Sequence, residues 1–338
     1  MKHLAFFLFL ALFSLRLDAQ NENPQPTTIF EKLTASEVAE LTLETDLTVF
    51  VGQKKTNNYL PGTLRMKDGK TYQVEVRARG RYRRKVSQIP PMKIRFSETE
   101  LKAEKLDTLN EIKIALPYQI SDQASEFIVK EYLAYRMFEK TSSLHFRARL
   151  VKLTLVDTNE KGFGKKKTYA IFIEDEEEVA QRLGCLPVDT FGLKPGDLEQ
   201  QQAAMVSMFQ YLIGNTDWDF MMQRNVQLFK EKEGGKFFVL PYDFDFSGLV
   251  GAPYAVPSSE SGLKSVRDRY LMANGLDAEA MKSATKTLKE REKDYYQLCR
   301  SKFVASDTKD GMTDFLGTFF KNMEGKEEAP GTMLMKKE

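Results

Sequence analysis

Alternation with period two dominates the first half of this sequence and helical spacing dominates the second. That division constrains the fold more than any other feature. Met92-Lys93-Ile94-Arg95-Phe96 puts Met92, Ile94 and Phe96 on one face and Lys93 and Arg95 on the other, the pattern of a half-buried strand. Leu60–Met66 and Thr71–Arg79 flank Lys67-Asp68-Gly69-Lys70, which reads as a hairpin. Further strands are expected at Leu41–Val51, Phe146–Val156 and Thr168–Ile173, the last two joined by the turn Asn159–Lys167; Glu111–Leu116 reads as a short apolar stretch within a loop. Between them Ser121-Asp122 caps a helix running to about Lys140, with Ile128, Tyr132, Tyr135 and Phe138 at helical spacing. Glu131 falls on that apolar stripe.

The second half begins after an acidic run, Glu174–Glu178, read as a solvated linker face. A helix is expected at Leu198–Ile213, then a hairpin of Val226–Phe229 and Lys236–Leu240 around Gly234-Gly235, and amphipathic helix from Gly262 onward. The expected class is α+β with two lobes. A small antiparallel-sheet lobe with one helix covers 41–175, and a larger, mostly helical lobe carrying the hairpin covers 176–325. Residues 20–40 read as a flexible leader and 326–338 as a disordered, Lys/Glu-rich tail.

Lys2 and His3 precede an apolar run, Leu4–Leu15, and Ala19 stands before polar Gln20-Asn21-Glu22. The run is short for a membrane span, so residues 1–19 read as a cleaved signal peptide with cleavage near Ala19. No integral membrane segment is expected after cleavage, and the expected location is periplasmic or secreted. The formal net charge of +2 makes no case for a nucleic-acid partner. Two cysteines, Cys185 and Cys299, either pair or remain as separate thiols. Beyond residue 3 the single histidine is His145. A His-rich zinc site is thereby excluded, and a Ser-His-Asp triad would depend on that one residue. Chemistry must rest on carboxylates, lysines and metal ions.

Such a constellation exists around the second hairpin. Asn225 precedes its first strand, Asp243 follows its second, and antiparallel pairing brings the two ends together; a register shifted by one moves the preference to Asp245. Asp217 arrives on the loop just before. Oxygen ligands without histidine suit Mg²⁺ or Mn²⁺ carrying phosphates. The same set suits phosphoryl transfer, in which one Asp accepts a hydroxyl proton while an Asn and a second Asp hold metal. A phosphate lysine held by a glutamate completes the scheme, and Lys93 with Glu131 is the expected pair, since a buried Glu needs a cation. Lys130 and Arg136 are the local alternatives for Glu131. The bland readings are a solvated Asp243/Asp245 pair, an exposed strand lysine at Lys93, and core packing for Trp218.

Four blocks in order, Arg79-Gly80-Arg81-Tyr82-Arg83-Arg84, Pro90-Pro91-Met92-Lys93-Ile94-Arg95-Phe96, Gly214-Asn215-Thr216-Asp217-Trp218 and Pro241-Tyr242-Asp243-Phe244-Asp245-Phe246-Ser247-Gly248, resemble the spore-coat protein H (CotH) kinase family, in particular a secreted branch from Bacteroidetes-type bacteria. The similarity spans roughly residues 41 to 270. It implies an atypical protein-kinase-like two-lobed fold that uses ATP and divalent metal to phosphorylate Ser/Thr hydroxyls of an exported protein. By matching motifs Asp217 is the catalytic aspartate, Asn225 a metal ligand, Asp243 or Asp245 the second metal aspartate, Lys93 the nucleotide lysine, and Arg79 a residue near the phosphates. No G-x-G-x-x-G precedes the lysine strand, so phosphate cover falls to Gly80 and the arginines after it. Asn225 stands eight residues beyond Asp217, longer than the usual kinase loop. Two other readings stand beside this one: a non-catalytic interaction module with a degenerate kinase fold, and a nucleotide-sugar glycosyltransferase using Asp243-Phe244-Asp245 as its D-x-D motif.

Overall fold

A computed structural model describes residues 27–325 except Glu233 and Asn274. The signal-peptide reading (1–19) and the tail (326–338) lie outside the described residues. The chain opens with α1 (Ile29–Leu33), β1 (Ala39–Thr45), α2 (Leu47–Gly52), β2 (Leu60–Met66), β3 (Thr71–Ala78), α3 (Tyr82–Val86), β4 (Met92–Phe96), α4 (Glu98–Ala103) and β5 (Glu111–Ala115). It continues through α5 (Asp122–Thr141), β6 (Ala148–Asp157), β7 (Lys165–Glu174), α6 (Glu176–Leu183), β8 (Cys185–Val188) and α7 (Gln200–Ile213). The hairpin β9 (Val226–Glu231) and β10 (Phe237–Pro241) precedes α8 (Ala278–Glu290), α9 (Glu292–Cys299) and α10 (Ser306–Asn322).

The mixed α+β class holds, but the first half is not a small open sheet. Its strands close into a barrel in the order β1-β2-β3-β4-β5-β7-β6. Closure is parallel, β1 on β6, with Leu41 opposite Leu153 and Leu43 opposite Leu155. Alternation explains the interior. Leu41, Leu43, Leu64, Val74, Val76, Met92, Ile94, Phe96, Ile112 and Ile114 all point inward, and a barrel of this size is filled by such side chains. Each buried aliphatic contributes about 1.5–3 kcal/mol, which favours closure over an exposed edge. β5 was expected as loop. Its five residues are too few for periodicity to register, yet they supply the strand that links β4 to β7.

Two more expectations fail for local reasons. The strand read at Leu41–Val51 ends at Thr45, because the Asp46 side chain accepts from the Val49 N–H and starts α2. The leader expected to Glu40 is folded from Thr28, which caps α1 while Ile29, Phe30 and Leu33 bury themselves in the barrel core.

A second core lies outside the barrel. Outward residues of β6 and β7 (Ala148, Leu150, Ile171, Ile173) meet α5, and that core continues through α7–α10 and the sheet β10-β9-β8. Glycine is required at one junction here: a Cβ on Gly248 would lie 2.2 Å from the Val266 carbonyl oxygen. The acidic run is not a solvated face. Glu174 is fully buried, accepting from the Arg147 N–H at 2.6 Å and its Nε at 2.8 Å, and Glu178 accepts from Arg147 at 2.8 Å and Thr28 Oγ1 at 2.6 Å. Residues 262–273 and 275–277, expected as helix, lie outside the α-helices until Ala278.

Candidate functional site

α7 ends at Gly214 in the left-handed conformation, φ 64°, where a Cβ would meet Phe315 at 2.9 Å. Asn215 then turns the chain: its Nδ2 donates to Gln210 Oε1 at 3.0 Å, and its Oδ1 accepts from the Asp217 N–H at 2.9 Å. Asp217 is thus delivered on an anchored loop. The eight-residue step to Asn225 is absorbed by a closed turn, in which Asp219 and Arg224 exchange backbone hydrogen bonds of 2.9 and 2.8 Å. Asn225 Nδ2 donates to Asp217 Oδ2 at 2.9 Å and to its carbonyl at 2.6 Å. That leaves the Asn225 side-chain oxygen facing away from Asp217.

The hairpin register pairs Pro241 with Val226, and the Tyr242 N–H donates to the Asn225 carbonyl at 3.0 Å. Tyr242, not Asp243, is therefore opposite Asn225, and Asp243 sits one step on. Asn225 and Asp243 adopt φ values of 52° and 62°. Positive φ at a non-glycine residue is strained backbone that must be held by its surroundings; the Asp243 N–H is held by Tyr135 Oη at 2.8 Å. Burial pushes the Asp217 carboxyl up, Arg224 opposes, and the neighbouring charge of Asp243 pushes it up further. Asp217 and Asp243 are therefore near enough for their charges to repel.

Asp245 does something different. Its side chain is 4% exposed and is bound by Arg83 Nε at 3.2 Å and Tyr254 Oη at 2.9 Å. Arg83 is the centre of the arrangement: its two terminal nitrogens reach Glu131 at 3.0 and 3.1 Å, and one of them also reaches Asp243. Three carboxylates share one buried guanidinium. Burial pushes Glu131 up and Asp245 well up; Arg83 opposes it at both, and the charge of Asp243 adds to it. The expected Lys93–Glu131 pair is not formed. α5 directs Glu131 and Tyr135, one turn apart, at the α3 residue Arg83 and at Asp243.

Lys93 lies on the outer face of β4, paired with Glu111 and with Asp175 at 2.9 Å. Directly opposite it on β5 is Lys113, buried against the Phe146 ring at 4.9 Å and paired with Glu176. Burial pushes the Lys113 ammonium down despite Glu176 and Asp175. Arg79 is half-buried and makes no ion pair among the described residues. Its charge acts on Glu131, Tyr135, Tyr242 and Lys113. Burial pushes Tyr242 up to about 12, with the charges of Arg79 and Asp243 both felt there.

Seven residues were singled out from sequence. Asp217, Asn225 and Asp243 converge on one edge, the charge of Arg79 is felt at the adjoining Tyr242, and Glu131 and Asp245 belong to the Arg83 clamp. Lys93 stands on the adjoining wall with partners of its own. Arg83, Lys113, Tyr135 and Tyr254 were missed. The signal for Arg83 was present in the cation-rich Arg79–Lys85 run and in the buried Glu131 that lacked a partner. Among the described residues no three His, Cys, Asp or Glu side chains group closely enough to hold a metal unaided. Asn225 and Asp243 suit a Mg²⁺ or Mn²⁺ ion that takes its remaining ligands from phosphates and water.

No protein-family model matches the chain, and no curated protein matches it. Among solved structures it is similar to the crystal structure of a Helicobacter pylori proinflammatory kinase, CtkA, at 9% identity over 79% of this chain and 89% of that one, with a TM-score of 0.34.

Proposed function

We propose that the chain is a metal-dependent phosphotransferase that moves the γ-phosphoryl group of ATP to a Ser or Thr hydroxyl of an exported protein. One observation carries the reading: Asp217, fixed by Asn225, feels the charge of Asp243, while Arg79, which makes no ion pair among the described residues, acts on the neighbouring Tyr242. Asp217, its proton affinity raised by burial, accepts the hydroxyl proton as the acceptor oxygen bonds to the γ-phosphorus and the bond to the β-phosphate oxygen breaks, releasing ADP. Arg79 and Lys93 neutralise phosphate oxygens. Asn225 and Asp243 would hold the Mg²⁺ or Mn²⁺, which supplies charge neutralisation on the phosphates. Asp245 and Glu131 hold Arg83, and through it Asp243, in place.

The test is transfer of labelled phosphate from ATP by purified protein with Mg²⁺ or Mn²⁺. Asp217→Asn and Asp243→Asn should each lower transfer at least a hundredfold, with unchanged circular dichroism. Transfer surviving both changes removes the proposal.

One observation favours the non-catalytic module instead: Arg83 already neutralises Asp243 and Asp245. Calorimetry decides, since such a module binds no ATP in the presence of Mn²⁺. The glycosyltransferase reading loses support, because Asp245 is turned into Arg83 and Tyr254 and is no partner for Asp243 on a metal.

A further inference from the structure

Beside the Asp217 loop lies a cavity of about 330 Å³ whose walls include Trp218, Phe220, Tyr270, Leu271 and Met272. We propose that it docks an extended segment of the acceptor protein through a large apolar side chain flanked by a Lys or Arg; this rests on the phosphotransferase reading of the same site. Trp218 follows Asp217 directly in the chain, so an apolar side chain seated on it carries its own backbone past the Asp217 carboxylate. The cavity is at the lower end of the about 300–1,000 Å³ of small-molecule sites, room for an anchoring side chain and its flanking backbone rather than for a nucleotide.

The rim supplies the second argument. Phe191, Met221, Met222, Val256 and Tyr270 are five of the nine large hydrophobic residues exposed among the described residues, and they sit on the segments that wall the cavity or brace it. Those segments are tied together: the Gly192 N–H donates to the Met221 carbonyl at 3.0 Å, and the Ser258 N–H to Thr216 Oγ1 at 2.8 Å. Exposed apolar residues gathered around one cavity mark a contact surface for another protein. Charge then selects the partner. Asp219 and Glu260 line the same cavity and make no ion pair among the described residues; Asp219 Oδ1 accepts only from the Met222 N–H at 2.9 Å, so a cation beside the apolar anchor meets two carboxylates that lack a counter-charge there.

The experiment probes the full chain with Ser-containing peptide pools on an array without ATP, and scores phosphate transfer to the same pools with ATP and Mn²⁺. Pools carrying Phe, Leu or Met next to Lys or Arg should bind at least tenfold better than all-polar or acidic pools. Tyr270→Ala should erase the apolar preference and Glu260→Lys the basic one, while the KM for ATP stays unchanged. Equal binding of all pools, or preferences untouched by both variants, overturns the docking site. Self-association of the chain that Tyr270→Ala abolishes, without peptide selection, overturns it as well. Selective binding without transfer to any pool supports docking and sinks the phosphotransferase reading.

Discussion

Arg83 offers the sharpest test of the site's construction. It is 6% exposed, and it is the cation that Glu131, Asp243 and Asp245 share. Arg83→Met keeps much of the side-chain volume but leaves Glu131 and Asp245, both buried, without a counter-charge. Removing one partner of a buried ion pair costs about 3–5 kcal/mol. With a denaturant slope of about 3 kcal/mol/M, that is a fall in the urea midpoint of about 1–1.7 M. The loss must depend on pH. Both acids already hold protons more tightly in the folded state than in the unfolded chain, by burial and mutual repulsion, and loss of the guanidinium raises them further. An acid with a raised folded pKa leaves stability intact while both states are protonated and withdraws it as pH climbs through the folded value. The variant should therefore lose more at pH 8 than at pH 5, and Glu131→Gln in the same background should return at least about 1 kcal/mol by removing one buried charge. Urea titration followed by fluorescence of Trp218, the single tryptophan and itself buried, reads all of this. A loss below about 1 kcal/mol, equal losses at both pH values, or no recovery in the double variant would refute the clamp.

Two other perturbations test the frame around the site. Burial pushes the Glu178 carboxyl up to about 7, outweighing Thr28 and Arg147, and its Oε2 has no hydrogen-bond partner among the described residues. Its protonated form therefore fits the fold, so stability should fall by up to about 3 kcal/mol as pH rises from the ordinary Glu range through 7; Glu178→Gln should remove that fall, as seen in urea midpoints across the window. A Cβ on Gly162 would lie 1.9 Å from Asp157 Oδ2 and 2.3 Å from Thr48 Oγ1, displacing the carboxylate that accepts from the Leu47 and Phe163 N–H groups at 2.8 Å each. Gly162→Ala should cost about 2–3 kcal/mol, whereas Gly196→Ala, with open space around it, should stay within about 0.5 kcal/mol. Comparable denaturation midpoints for the two alanines would count against the Asp157 hub.

Local pattern alone determined much of this molecule. Met92–Phe96 alternates cleanly enough to declare its buried face, Ser121 caps α5 as its chemistry requires, and the Gly234-Gly235 hairpin carries Asn225 and the Asp243 motif to one edge. These features survive because periodicity, caps and turns act over a few residues, within which the chain has few alternatives. Barrel closure was beyond that range: β1 on β6 joins residues more than a hundred positions apart, and neither strand reveals which partner it takes. The destination of a buried charge was equally hidden. Glu131's place on an apolar stripe announced that some cation must meet it, but the choice between Lys93 and Arg83 depended on which side of the barrel wall each faced. β4 turns Lys93 toward Glu111 and Asp175, while the short α3 swings Arg83 inward. Electrostatic partners are decided by distances through space, and only the packed tertiary structure sets those.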